Sequence, residues 1–104
     1  GDFLNPSLLG TLKVGGERVR GKQMIDVMNA MNFDLVTFGN HEFDLSEEQF
    51  QKRLDESQFQ WVSSNTFQKK EGEAVPFKSN GNDVAYTYQY THTRNLYLLL
   101  VRLA

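Results

Sequence analysis

Cysteine is missing altogether from the 104 residues, and histidine and proline occur only twice each. Without thiols there is no disulfide framework, no thiolate zinc site and no cysteine nucleophile, so a bound metal must use oxygen and imidazole ligands. The redox compartment is left open. An excess of positive charge is missing too: eleven Lys and Arg stand against thirteen Asp and Glu, a net charge of −2 with both signs scattered along the chain. That balance gives no electrostatic footprint for nucleic acid or for an anionic membrane. The longest apolar run, Leu96 to Val101 with Tyr97 inside it, is far too short to span a bilayer, and no basic-then-apolar leader precedes Gly1. What remains is one domain at most, able to bury about two-thirds of its unfolded surface. The chain begins Gly-Asp-Phe-Leu, with no initiator methionine and no lead-in, which points to a piece of something longer.

Read in order, residues 1 to 21 are expected to be irregular, punctuated by Pro6, Gly10 and the Gly15-Gly16 pair, with one short apolar turn at Leu8, Leu9 and Leu12. From Lys22 the pattern becomes helical. Met24, Ile25, Val27, Met28 and Met31 form an apolar stripe of helical period, its methionines expected in the core, and Asn32 is a suitable end. Asp34 to Phe38 reads as a short strand. A second helix should start at Ser46, with Gln49 completing a capping box and Leu45 and Phe50 placed as a hydrophobic staple. Its many charges, among them Glu47, Glu48, Lys52, Arg53, Asp55 and Glu56, put it on the surface. Phe59 to Asn65 reads as another strand carrying Trp61 and Val62, and this alternation is that of an α/β architecture with a parallel sheet. Gln68 to Glu73 is expected to be a loop. Val84, Tyr86, Tyr88 and Tyr90 alternate with smaller or polar residues as in a half-buried strand, and Leu96 to Leu103 would return beside it as a β-hairpin turned at Thr91 to Asn95.

The chemistry concentrates in VTFGNHEFDLS, from Val36 to Ser46. A short apolar run ends at Gly39, and Asn40, His41, Glu42 and Asp44 follow at once. In open α/β sheets ligands gather beyond the carboxyl ends of strands, where a Gly lets the backbone turn sharply. The Asn40 amide oxygen is a neutral, hard ligand suited to a divalent cation, and His41 can hold or donate a proton near neutral pH. Asp44 could reach the His41 ring, fix its tautomer and aim the other nitrogen at a substrate. Such a pair suits stabilisation of charge on a phosphoryl oxygen or protonation of a leaving group. A single His beside an Asn in a loop is nevertheless more often a solvated residue than a ligand.

Asp2 tips that balance. Gly1-Asp2 followed by Phe3-Leu4-Asn5-Pro6-Ser7, with Gly39-Asn40-His41-Glu42-Phe43-Asp44 after a helix and a strand, resembles the calcineurin-like metallophosphoesterases in their bacterial 5'-nucleotidase form. The resemblance extends through GKQMIDVMNAMN (Gly21 to Asn32) and WVSSNTF (Trp61 to Phe67) and covers about residues 1 to 67. It implies a fragment of the four-layer α/β/β/α sandwich, with a β-α-β-α-β alternation followed by the hairpin. It implies a two-metal hydrolase acting on nucleoside monophosphates, in which Asp2 bridges two divalent ions (Mn, Zn, Fe, Co or similar) and Asn40 binds the second. His41, oriented by Asp44, would stabilise the transition state. Glu42 would make a structural hydrogen bond to the loop, and Phe43 would anchor it in the core. Export to the periplasm or the cell exterior is a further implication.

The family's Asp-x-His motif, its later histidine ligands and its substrate-recognition domain have no counterpart here, and His92 matches none of its motifs and reads as a surface residue. Asp2 and Asn40 alone cannot close a dinuclear site, so the chain is expected to bind metal weakly, to hydrolyse phosphoesters negligibly, and to self-associate through open sheet edges beside Val36 and Trp61. Two alternatives stand beside this one. The same metals could serve a cyclic-nucleotide or sugar-nucleotide phosphodiesterase. In a different class, Tyr86, Tyr88 and Tyr90 could form the face of a non-catalytic binding or assembly module.

Overall fold

Residues 1–21 are more ordered than their composition promises. In the computed structural model, which describes residues 1–63 and 66–86, an extended entry leads into a 3₁₀ turn over Leu8–Thr11, capped by the Ser7 hydroxyl, which accepts from the Leu9 amide at 3.1 Å. An antiparallel hairpin of β1 (Lys13–Val14) and β2 (Glu17–Arg18) follows. Its turn is Gly15-Gly16, both at positive φ, the two-residue geometry whose twist matches that of the flanking strands.

Helix α1 spans Lys22–Ala30, and the chain leaves it through Asn32 in the left-handed region (φ 56°), as expected of that residue. Ile25 and Met28 are buried, but Met31 is 65% exposed and Val27 is exposed as well, so the methionine stripe is only partly core. Strand β3 (Leu35–Thr37) comes next, then a 3₁₀ turn over His41–Asp44. Helix α2 (Glu47–Glu56) starts at the anticipated capping box: the Gln49 amide donates to the Ser46 hydroxyl at 3.2 Å and the Ser46 amide to the Gln49 side chain at 3.4 Å. Leu45 and Phe50, the staple pair, are both buried.

Arg53 departs from the surface role expected of it. Its guanidinium is buried and donates to the Val19 carbonyl (2.7 Å), the Arg20 carbonyl (3.3 Å) and the Glu56 carboxylate (2.8 Å). It thereby fastens the segment following β2 to α2. A guanidinium has five donors in a planar fork, which suits it to satisfy carbonyls that would otherwise be stranded.

Strand β4 (Gln60–Ser63) pairs parallel with β3 in the register Leu35↔Gln60, Val36↔Trp61 and Thr37↔Val62. The stretch expected as a loop is instead a hairpin of β5 (Gln68–Lys70) and β6 (Glu73–Val75), turned at Glu71-Gly72. A third hairpin, β7 (Lys78–Ser79) and β8 (Asn82–Asp83), turns at Asn80-Gly81. Both turns have two consecutive positive-φ residues, like the first. Strand β9 (Ala85–Tyr86) then pairs parallel with β4, giving a three-stranded parallel sheet in the order β3-β4-β9. Among the described residues, the parallel α/β arrangement anticipated from the sequence is present as a small mixed globule of two helices and several small sheets. Trp61, expected beside an open edge, lies on the central strand and is 1% exposed. Tyr88, Tyr90, His92 and the expected return strand Leu96 to Leu103 lie outside the described residues.

Aromatic rings fill the core. Phe38, where β3 ends, stacks on Trp61 with centroids 4.9 Å apart and packs within 6 Å of Phe43, Phe50 and Phe77. Phe3 stacks on the same indole at 5.3 Å. The indole N–H is satisfied by the Ser57 hydroxyl at 3.0 Å, as a buried Trp requires. The rings that make the core thus also fix the end of β3 and the first residues of the chain.

Candidate active site

Where β3 ends, the chain must turn without losing its hold on the core, and a buried carboxylate accomplishes this. Glu42 is 0% exposed; its Oε1 accepts the amides of Phe3 (2.7 Å) and Leu4 (3.1 Å), and its Oε2 accepts the amide of Gly39 (2.6 Å). Three N–H donors on one carboxylate side chain make up much of what burial takes from its hydration. The structural role foreseen for Glu42 is therefore present and extends beyond its own loop: it ties the first four residues to the 3₁₀ turn. Phe43 supplies the other anchor, its ring 5.1 Å from Phe50 and 5.7 Å from Phe38 and Phe77.

With the two segments fastened, Asp2 lies against the turn. Its Oδ1 accepts the His41 amide at 2.9 Å, and the Gly1 ammonium donates to the Thr37 carbonyl at 2.7 Å. Gly39 permits this approach. A Cβ on Gly39 would lie 2.6 Å from the Gly1 carbonyl carbon and 2.8 Å from the Asp2 carboxyl carbon, closer than real side chains come. Asn40, between Gly39 and His41, is exposed, and its side chain has no hydrogen bond among the described residues.

His41 and Asp44 meet as their spacing suggested, Nδ1 to Oδ2 at 2.6 Å across one turn. Hydrogen bonding to Asp44 raises the His41 pKa above its ordinary 6.5, with the charges of Asp44, Asp2 and Glu42 adding to it against partial desolvation. The same bond lowers the pKa of Asp44, and a donor from Asn5 lowers it further. With Nδ1 turned to Asp44, Nε2 is left without a protein partner among the described residues.

The sign of each shift sets a pH window. A raised histidine value means that the pair's stabilisation is fully present below 6.5 and fades as pH rises through the higher folded value. A lowered aspartate value means that it persists above 3.8 and is lost only as pH falls through the lower folded value. The His41 imidazole, followed by NMR, should titrate above 6.5, and Asp44→Asn should bring the midpoint back toward that value. A midpoint at or below 6.5 in the unsubstituted chain would contradict the pairing.

Asp2 thus meets the His41 amide and Asp44 the His41 ring, with Asn40 next to His41 in the chain, although Asp2 is nearly forty residues from the others in sequence. Among the described residues no group of three or more His, Asp or Glu forms a metal cluster. The donors fit a hard divalent cation in kind: Asp2 keeps Oδ2 unengaged among the described residues, and Asn40 offers an unengaged amide oxygen. Two donors make only part of a coordination shell. Asn5 was not singled out by the sequence, yet its side-chain amide donates to Asp44 Oδ2 at 3.1 Å. The only available signal was its place in the run GDFLN, three residues after Asp2. Comparison with family models, curated proteins and solved structures found no match to the chain.

Proposed function

We propose that this chain carries one wall of a two-metal phosphoester hydrolase site, of the kind that releases phosphate from nucleoside monophosphates. One observation supports it above the others: the His41 amide donates to the Asp2 carboxylate, which brings the two motifs of the phosphoesterase resemblance to a single place. Asp2 and Asn40 would hold the metals, with Asp2 as the bridging ligand. Bound there, two divalent ions would supply an acidified water and charge neutralisation at phosphorus. The chain's own contribution is to position and to protonate. His41, kept cationic to higher pH by Asp44, presents Nε2 as a donor to a phosphoryl oxygen or to the departing alcohol. Asp44 fixes the ring, while Glu42 and Gly39 hold Asp2 within reach of it. A cyclic-nucleotide or sugar-nucleotide diester would be served by the same groups.

Binding separates the roles. Asp2→Ala and Asn40→Ala are each expected to weaken Mn²⁺ binding, measured by calorimetry. His41→Ala should leave Mn²⁺ binding in place and remove the additional binding of inorganic phosphate. Hydrolysis by the 104-residue chain should stay near background. Brisk Mn²⁺-dependent release of phosphate from a nucleoside monophosphate would contradict the incomplete wall, and Mn²⁺ binding indifferent to Asp2→Ala would contradict the bridging role.

The self-association expected from an open sheet edge has one observation in its favour. Among the described residues β3 is an edge strand, and Leu35 on it is 59% exposed. Beside it a groove of about 400 Å³, lined by Phe3, Met24, Val27, Met31, Phe33 and Val36 among others, has no charged side chain. An unprotected edge recruits strands, and two copies related by a two-fold axis would bury this apolar lining against each other. We expect the chain to self-associate, with light scattering showing a mass that rises with concentration and Leu35→Lys reducing it. A monomer at all concentrations would contradict this.

A further inference from the structure

We infer that Asn5 is the positioning residue of the His41–Asp44 pair: its side-chain amide holds the Asp44 carboxylate in the orientation that takes the proton of Nδ1 and leaves Nε2 for the ligand. The inference rests on the phosphoesterase proposal only for what Nε2 then does. Its structural part stands on geometry.

Asp44 Oδ2 accepts from two directions, from the His41 ring at 2.6 Å and from Asn5 Nδ2 at 3.1 Å. The side chains of His41 and Asp44 are 43% and 49% exposed, so packing does not fix the carboxylate. Hydrogen bonds must do so, and among the described residues Asn5 provides the only one besides the histidine it serves. An ionised carboxylate only accepts, so the amide must turn its NH₂ toward it, which makes Asn5 an unambiguous donor.

The behaviour of Asn5 is unusual for its residue type. Loop asparagines ordinarily bond to their own neighbouring backbone. The Asn5 side chain instead reaches across to a residue thirty-nine positions away. Its backbone is pinned on both sides: Leu4 is buried with its amide on Glu42, and Ser7 caps the Leu8–Thr11 turn. The donor is therefore presented from a fixed base. The two segments of the site are joined reciprocally, since the N-terminal Asp2 accepts from the histidine loop and the N-terminal Asn5 donates to it.

The test reads the tautomer of the His41 ring by ¹⁵N NMR, in a His92→Gln background that leaves one imidazole, at a pH above the ring's titration. The parent should show the Nδ1–H form as the dominant tautomer. Asn5→Leu, similar in size without a donor, and Asn5→Asp, of the same shape with an acceptor in place of the donor, should each shift the ratio toward Nε2–H by about fivefold, the net worth of one hydrogen bond. The Gly39 and His41 backbone amides, which report the fastening by Glu42 and Asp2, should keep their chemical shifts.

An unchanged tautomer ratio in both variants would overturn the inference, as would a parent ring that is mainly Nε2–H. If the Asn5 variants fail to fold, Asp44→Ala decides with Asn5 left in place. The Asn5 side-chain amide protons should then exchange with solvent about fivefold faster than in the parent, and no change would overturn the inference. Absence of Mn²⁺-dependent phosphate binding would defeat the proposed function while leaving these NMR results intact.

Discussion

Replacing Glu42 with alanine is expected to be the most damaging single change in the described structure, costing about 3–5 kcal/mol, because three backbone amides lose their acceptor and a buried donor left unsatisfied costs about 1–3 kcal/mol. The side chain is fully buried and accepts three backbone amides, at 2.7, 3.1 and 2.6 Å. Truncation leaves those donors without their acceptor and opens a cavity behind the 3₁₀ turn. A domain of this size has roughly 5–15 kcal/mol of total stability, so the loss would leave it marginal. Glu42→Gln should cost less, because its one oxygen still serves part of the set, but its NH₂ must then face a backbone N–H. Urea denaturation measures both. A loss below about 1 kcal/mol for Glu42→Ala, no more than a single ordinary hydrogen bond, would show that the clamp does not hold the two segments together.

Gly39→Ala is expected to act on the site more than on the fold. Its new methyl would meet the Gly1 carbonyl carbon and the Asp2 carboxyl group, both too close to remain where they are. Gly39 cannot retreat easily, because its amide is held by Glu42 and it follows the buried Phe38. The exposed Asp2 should therefore yield, giving up the bond to the His41 amide. Overpacking of this sort costs about 1–3 kcal/mol in stability. Mn²⁺ affinity should fall toward, but no further than, the value in Asp2→Ala, because the carboxylate is displaced from the loop without being removed from the chain. Retention of the Asp2–His41 contact in the variant, read from the His41 amide shift, would refute the steric argument.

How much of this was legible beforehand depended on the range of the interaction. The capping box at Ser46 and Gln49, the end of α1 at Asn32, the parallel pairing of β3 with β4 and the His41–Asp44 contact are set within a few residues or by hydrophobic period. They could be read directly. The hairpins turned at Glu71-Gly72 and Asn80-Gly81 were missed because their strands are polar and only two or three residues long. Alternation gives no signal at that length, and the turn residues alone carried the information. Arg53 was misplaced because its partners are the carbonyls of Val19 and Arg20, more than thirty residues away, which no local pattern announces. Asn5 was overlooked for the same reason. In the α1 stripe, period showed which residues share a face but not whether anything covers it, and Met31 stays exposed.

We propose above that Asp2, Asn40 and His41 form one wall of a metal-dependent phosphoesterase site. Paramagnetic broadening by Mn²⁺ in the ¹H–¹⁵N spectrum of the ¹⁵N-labelled chain tests it most directly. Weak, saturable broadening is expected, centred on the amides of Asp2, Asn40 and His41, abolished by Asp2→Ala and retained in His41→Ala. Broadening centred on the acidic face of α2 instead, or broadening at Asn40 and His41 that survives Asp2→Ala, would contradict it.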